Sequence, residues 1–306
     1  SPIVDITLGS QFVTKAYDLM VYPPLRSELI FDQFATVKAS NVTHRGGSVR
    51  FSFVDDLTTQ TTPLLENNDV DSIALNSRAL TVSMREYGTA VTNTALLRGT
   101  SMIAMDPLIA ERVGYNAGLS IDTLARTALD QTSITYDDGS TAAIATVGSD
   151  TDYLTGTLLR DGVAEMQKNN VRPMLGGAYV AVISPYQAQQ LKSDSSDTGW
   201  RYTVAYNEGA SGNSIFTGEI GMYEGVRIIV NNHITSQGGG YLMGAEALAK
   251  AFSTAPGFGP IPRTVVSPVV DKLKRFASVG WYSLVGYSIF RAEALMHIET
   301  APTLKP

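Results

Sequence analysis

The sequence predicts a mixed α+β fold, and three observations support this class. Residues 100–131 carry apolar residues at the spacing of three and four that is typical of a helix. Residues 49–54 and 80–85 alternate apolar and polar side chains, as half-buried strands do. Residues 273–299 show a similar strand-like pattern rich in aromatic residues. A chain of 306 residues is long enough for one large domain or two smaller ones around a sizeable core.

The composition excludes several functional classes. Hydrophobic residues make up 44% of the chain and charged residues only 17%, and 23 basic against 29 acidic residues give a net charge of −6. This acidity argues against a basic nucleic-acid binder. The lack of cysteine excludes disulfides, cysteine-ligated metals and cysteine nucleophiles, and three histidines argue against a His-rich metal site. A chain this poor in charge is expected to bury surface against other copies of itself.

The first 36 residues predict an arm. They carry scattered apolar residues without a core of their own, and Pro23-Pro24 interrupts any helix. Such an arm needs another surface on which to lie. The N-terminal sequence has no signal-peptide pattern, and no stretch reaches the ~20 apolar residues of a membrane span, so no membrane partner is expected.

Residues 37–92 predict an extended hairpin. Strands are expected within 37–57 and 73–92, and between them lies the polar stretch 58–72. A connection of about 15 residues is uncommon in a compact domain and usually has a function.

Residues 100–131 predict one long helix whose regular part starts at Asp106-Pro107. At a rise of 1.5 Å per residue, residues 106–130 would span ~37 Å. Gly114 and Gly118 are unfavourable in a helix interior, so we expect them to permit close packing. One apolar stripe defines the buried face: Ile109, Val113, Ala117, Ile121, Leu124 and Ala128.

The remaining elements follow from local signals. Ser184-Pro185-Tyr186-Gln187 has the N-cap serine, first-position proline and N3 glutamine of a capping box. The other predictions are a polar loop at 132–150, a helix at about 152–170, a buried strand at 178–183, a hairpin at 219–230 that turns at Glu224-Gly225, a strand and helix at 241–252, an extended proline-rich run at 253–270, and antiparallel strands at 273–299. Residues 174–256 would form a second αβα-type region.

A search for catalytic motifs finds none. There is no P-loop, Pro262 breaks the glycine pattern that starts at Gly257, and no G-x-S-x-G elbow occurs. His44, His233 and His297 lack metal-site spacing. The paired acidic residues are interpreted as turn formers on the surface, with a surface cation site as the alternative. A hydrolase whose site converges from distant residues stays open as an alternative.

Several segments in a fixed order resemble the major capsid proteins of tailed bacteriophages of the Hong Kong 97 type, in particular a branch common in phages of actinobacteria. The segments that carry the resemblance are residues 62–100, MDPLIAERVGYNAGLSIDTLAR (105–126), GEIGMYEGVRIIVNN (218–232), GYLMGAEALAKAF (240–252) and VGWYSLVGYSIFRAEALMHIET (279–300).

The resemblance implies a Hong Kong 97-type capsid fold with a fixed domain organisation. Its parts would be an N-terminal arm (1–36), the start of the P-domain with the extended E-loop (37–99, tip about 45–80), the P-domain with its spine helix (100–173, helix 100–131), the axial A-domain (174–265), and the P-domain C-terminal strands and tail (266–306).

The resemblance also implies a structural role, with no catalytic, cofactor or metal site. Copies would assemble into hexamers and pentamers of an icosahedral head that encloses double-stranded DNA without sequence-specific binding. Intersubunit contacts are expected from hairpin residues Arg50, Asp55, Asp56, Leu57, Leu64, Leu65 and Glu66, and from arm residues Phe12 and Leu19. The expected location is the virion, and the host cytoplasm during assembly.

One departure from the Hong Kong 97 protein has a chemical consequence. That protein crosslinks an E-loop lysine to an asparagine of a neighbour, whereas no lysine lies between Lys38 and Lys168 here. We therefore expect a shell without these crosslinks. A portal protein is an expected partner, and separate scaffolding and decoration proteins are possible ones. An encapsulin-like shell is the main alternative, and a tail protein is disfavoured by the long helix.

Overall fold

The computed structural model describes residues 29–40, 47–54, 56–61, 63, 66, 69, 72–101, 105–132, 134–137, 140–142, 152–174, 177–194, 221–267, 273 and 275–305. The helices are α1 (Ala95–Thr100), α2 (Met105–Leu129), α3 (Gly156–Lys168) and α4 (Pro185–Lys192). The strands are β1 (Ala35–Ser40), β2 (Ser48–Val54), β3 (Ser77–Ser83), β4 (Arg85–Thr94), β5 (Thr135–Asp137), β6 (Ser140–Ala142), β7 (Tyr179–Ile183), β8 (Met222–Tyr223), β9 (Val226–Val230), β10 (Gly239–Met243), β11 (Leu248–Ser253), β12 (Arg263–Ser267), β13 (Phe276–Ile289) and β14 (Leu295–Glu299). This mixture confirms the predicted α+β class.

A five-stranded sheet is organised around the 14-residue strand β13. β4 pairs with one edge of β13, while β12 and β11 pair with successive parts of the other edge, and β1 continues beyond β11. Helix α2 covers this sheet and packs Ile109, Val113 and Ala117 against Trp281. The Trp281 indole Nε1 donates a hydrogen bond of 2.9 Å to Asn116 Oδ1.

A seven-stranded sheet has the strand order β6-β5-β14-β10-β7-β9-β8. Every residue of β7 and β10 is buried. The predicted capping box at the start of α4 is present, since the Ser184 side chain accepts from the Gln187 backbone N–H and the Gln187 side chain accepts from the Ser184 N–H. The predicted turn at Glu224-Gly225 is also confirmed, with φ angles of 48° and 80°.

A buried carboxylate joins the N-terminal part of the described chain to α2. Asp122, which is 2% exposed, accepts from the backbone N–H groups of Phe31 (2.7 Å) and Asp32 (3.3 Å). Its other oxygen lies 2.8 Å from His233 Nδ1. Asp32 in turn pairs with the buried Lys250 at 2.7 Å. The start of the body is therefore fixed to α2 and to β11 of the five-stranded sheet.

This anchoring corrects one expectation about the arm. Ile30, Phe31 and Phe34, which belong to the predicted arm, are buried in the chain's own core and pack on the body of the same chain. Their backbone donors and apolar rings find partners on α2 instead. Residues 1–28 lie outside the described residues.

The long helix differs from the prediction at its start. Residues 95–100 form the separate helix α1, and α2 begins at Met105 rather than at residue 100. The predicted stripe is buried except at Leu124, which is only partly so. A Cβ on Gly118 would lie 2.9 Å from Leu29 Cδ1, which confirms close packing there, whereas Gly114 has no described atom within 4 Å of that position.

Two further segments differ from expectation. Residues 241–252 hold the strands β10 and β11, so the predicted helix there is wrong. Its alanine-rich sequence favours a helix locally, but pairing between β1 and β13 overrides that preference. The loop predicted at 132–150 contains the short strands β5 and β6.

Candidate functional site

The most distinctive surface feature is the β2–β3 hairpin. The two strands pair antiparallel from Ser48 opposite Ser83 to Val54 opposite Ser77, which confirms the predicted hairpin. Its root packs on the five-stranded sheet, where Val49, Phe51, Val82 and Met84 meet Ala249 and Ala251 of β11.

Aromatic and cationic side chains hold this root. The Phe290 ring lies 5.1 Å from Phe51 and 5.0 Å from Phe53 between centroids. The guanidinium groups of Arg78 and Arg291 each lie 5.6 Å from the Phe53 ring. Such cation–π and edge contacts fix orientation as well as contributing stability. The hairpin is therefore held to the body as far as Phe53.

Beyond Phe53 the hairpin has exposed apolar side chains. Val54 is 63% exposed, Leu57 58%, Ile73 60% and Leu75 63%. A two-stranded hairpin in water is marginally stable unless a further surface covers it. No other described strand pairs with β2 or β3. We name residues 54–77 the acidic tip, because they include five acidic residues and no Lys or Arg.

The middle of this hairpin is strongly acidic, whereas Arg50 and Arg78 flank it. Residues 51–77 contain five acidic residues and no Lys or Arg: Asp55, Asp56, Glu66, Asp69 and Asp71. Subtracting their −5 from the total of −6 leaves −1 for all the other residues. The described acidic side chains here, Asp56, Glu66 and Asp69, are exposed.

The structure gives positions for four of the nine predicted contact residues. Arg50 is exposed on β2, and its carbonyl accepts a 2.8 Å hydrogen bond from Lys38 Nζ. Asp56, Leu57 and Glu66 are exposed in the acidic tip. The other five lie outside the described residues: Asp55, Leu64, Leu65, Phe12 and Leu19. The hairpin brings the four together on one projection, and their role as contacts stays a prediction.

A second surface lies at the far end of the five-stranded sheet, and the sequence reasoning missed it. Three exposed or half-exposed valines line up across β4, β13 and β12: Val91, Val279 and Val266. Nearby, Leu273 is 72% exposed and Phe276 41%. The segment 263–275 carries four basic residues and one acidic residue: Arg263, Lys272, Lys274, Arg275 and Asp271.

We name this second surface the basic end, and define it by Val91, Arg263, Val266, Leu273, Arg275 and Phe276. The basic residues of 263–275 and the valines can be read from the sequence. That they are exposed on the same surface cannot be read from it, because this depends on how β12, β13 and β4 pair.

Burial is the main cause of the pKa shifts at three buried groups in the described part of the chain. Burial lowers the pKa of His297 and, together with Asp32, raises the pKa of Tyr287. Burial and Asp130 raise the pKa of Tyr241 in the same way. Among the described residues no group of three or more His, Cys, Asp and Glu side chains could hold a metal. No helix in this part of the chain is long and apolar enough to cross a membrane.

Comparisons with known proteins agree on one family. The family model described as "Phage capsid protein" matches residues 76–295. The head structure of Helicobacter pylori bacteriophage KHP40 has a TM-score of 0.71 at 13% identity and covers 99% of both chains. The capsid of Ralstonia phage GP4 has a TM-score of 0.69 at 16% identity, with 100% of this chain and 99% of that chain covered.

A chain from Mycobacterium phage Che8 has a TM-score of 0.68 at 14% identity, with 94% of this chain and 97% of that chain covered. At these identities the structures establish the fold, which is of the Hong Kong 97 type. A search among curated proteins found no match.

Proposed function

Since this chain belongs to the phage capsid protein family, we propose that its copies assemble into hexamers and pentamers of an icosahedral head. A member of this family is a structural, non-enzymatic component of the virion shell.

The hairpin is the observation that carries the proposal. Its root is fixed by Phe51, Phe53 and Phe290, so its direction is set by the body. Its outer half exposes apolar residues, such as Val54 and Leu75, each of which is 63% exposed. A rigid projection with an unpaired apolar surface fits contact with a neighbouring copy. Repeated over a closed shell, individually weak contacts add through avidity.

We assign the parts of the chain by the same logic. The hairpin within residues 37–99 would be the E-loop, and α2 the spine helix of the P-domain, which would also take in α3 and the C-terminal strands from residue 266. Residues 174–265, with α4, would form most of the A-domain around capsomer axes. Residues 1–28, including Phe12 and Leu19, would extend onto a neighbour, whereas the segment from Ile30 belongs to the body.

We infer a shell held by non-covalent contacts. The hairpin offers no lysine amine for an isopeptide bond, because none lies between Lys38 and Lys168. Complete dissociation of purified heads to single chains in denaturing electrophoresis is the expected result. A ladder of linked chains would contradict it.

The remaining partners follow from this role. Double-stranded DNA would be enclosed rather than bound, because an acidic chain offers little net attraction to phosphate. A portal protein would occupy one vertex, with scaffolding and decoration proteins as possible additions. Assembly would take place in the host cytoplasm.

Electron microscopy of the purified chain, with size-exclusion chromatography, tests the proposal. Shells or capsomer rings are expected, with added scaffold if needed. In a matched variant, Asn-Gly replaces residues 55–76 and closes the Val54–Ser77 pair with a two-residue turn. This variant should fold but not form shells, whereas the Ala164→Lys variant, at an exposed position of α3, should assemble as wild type. A wild-type chain that stays monomeric would overturn the proposal, and a shortened hairpin that assembles normally would remove the hairpin's role.

A further inference from the structure

A buried hydrogen-bonded cluster joins the loop after β9 to α2 and to the start of the body. We propose that His233 is a pH-sensitive latch in this cluster: its doubly protonated ring ties the loop to α2, and loss of one proton loosens the segment 30–34. The inference goes beyond the proposed function and does not depend on it, because every contact involved lies within one chain.

Both ring nitrogens of His233 face hydrogen-bond acceptors. Nδ1 lies 2.8 Å from Oδ2 of the Asp122 carboxylate. Nε2 lies 3.3 Å from Thr123 Oγ1, whose hydroxyl donates to the Leu119 carbonyl at 2.6 Å. A hydroxyl that donates elsewhere offers the ring only its lone pairs. The ring therefore satisfies both contacts only when each nitrogen carries a proton, which is the imidazolium form.

The charged groups of the cluster favour the same form. They lie on α2, on the segment 30–34 and on β11: Asp122, Arg126, Asp130, Asp32 and Lys250. Tyr241 and Tyr287 are its other titratable groups among the described residues, and burial together with a carboxylate raises the pKa of each, so both stay neutral. Three carboxylates thus meet two cations, and a second proton on His233 balances them. Because the side chains of Asp122 and His233 are only 2% and 12% exposed, an uncompensated charge here would be costly.

The same carboxylate holds the segment 30–34. Asp122 Oδ1 accepts from the backbone N–H groups of Phe31 at 2.7 Å and Asp32 at 3.3 Å. The Phe31 ring lies 6.3 Å from the His233 ring and edge-on to Tyr241 at 5.6 Å. When His233 loses a proton, the buried carboxylate loses the cation bonded to it. It then takes up a proton or shifts toward water, and either change weakens its bonds to the two N–H groups.

The latch has a defined direction in pH. It is closed at low pH and opens as the pH rises through the range of about 5–8 in which an imidazole changes charge. His297 acts in the opposite direction, because burial lowers its pKa. The two effects are separable, since the N–H groups of Phe31 and Asp32 are held by Asp122 and not by His297.

Nitrogen-15 NMR of the histidine rings in the unassembled full chain tests the protonation directly. The chain has three histidines, so the variants His44→Gln and His297→Gln assign the signals. Both ring nitrogens of His233 should carry protons at about pH 5.5, and only one should do so at about pH 8.5. A ring of His233 that is neutral at the lower pH would overturn the proposal.

Amide hydrogen exchange tests the mechanical consequence. After correction for the intrinsic rate, exchange at Phe31 and Asp32 should become at least about tenfold faster between about pH 5.5 and about pH 8.5 in the wild type. The His233→Gln variant should change less than about threefold over the same range, because its side chain does not titrate. Asp122→Asn should likewise lose the response, and it serves as the second variant if His233→Gln does not fold. The matched control His297→Gln should respond as wild type.

The latch and the proposed function fail in different measurements. Equal exchange at the two pH values in the wild type, or an unchanged response in both His233→Gln and Asp122→Asn, would overturn the latch. A wild-type chain that forms no shells or rings would overturn the proposed function and leave the latch standing, because the latch is measured on single subunits.

Discussion

Truncating Phe290 should uncouple the hairpin from the body. The ring contacts Phe51 and Phe53, and its loss opens the small cluster that fixes the hairpin root. Replacing a fully buried Phe by Ala lowers the free energy of unfolding by about 3–5 kcal/mol. Each aromatic pair that is lost removes about 0.5–1.5 kcal/mol of stabilisation beyond area burial. Because Phe290 is only partly buried, we expect a loss of about 2–3 kcal/mol in the free energy of unfolding.

The assay compares Phe290→Ala with Phe258→Ala. Phe258 is also partly buried and packs edge-on against Tyr282 at 5.2 Å, but it lies away from the hairpin. Urea unfolding of unassembled subunits measures stability, and sedimentation measures the assembled fraction. Each 1.4 kcal/mol lost from a contact lowers its equilibrium constant about tenfold.

The expected result is a difference in assembly that stability does not explain. Phe290→Ala should assemble much less than Phe258→Ala at a comparable free energy of unfolding, because only the former frees the hairpin to swing. If both variants assemble equally well once their stabilities are matched, the hairpin root does not set the direction of the contact and the reasoning is refuted.

Three further predictions concern the body. Asp122→Ala should lower the free energy of unfolding by about 3–5 kcal/mol in urea titrations, because the carboxylate holds buried N–H groups. Amide exchange at Phe31 should become faster in the same variant. Asp122→Asn keeps an acceptor and should lower the free energy of unfolding less. Gln187→Ala should cost about 1–3 kcal/mol by the same measurement, since its buried amide donates to the Gly238 carbonyl at 2.6 Å; equal stability of Gln187→Ala and wild type would contradict this. Burial lowers the pKa of His297, so the unfolded chain takes up a proton first as the pH falls below about 6.5; stability should drop there, and His297→Gln should reduce that slope.

Local signals predicted those parts of the fold whose geometry is determined locally. The capping box needs only Ser184, Pro185 and Gln187, which are neighbours in sequence, and the turn needs only Glu224-Gly225. The stripe along α2 likewise follows from helical spacing, and all but Leu124 of its predicted residues are buried.

Elements that depend on distant pairing could not be predicted in this way. β11 has a helix-forming composition and becomes a strand because β1 and β13 flank it. In sequence, Ile30 and Phe34 look like part of the arm. They belong to the core because Asp122 of α2 binds the backbone N–H of the adjacent Phe31. The sequence indicated the projecting hairpin, but the basic end emerged only from the register of Val91, Val279 and Val266.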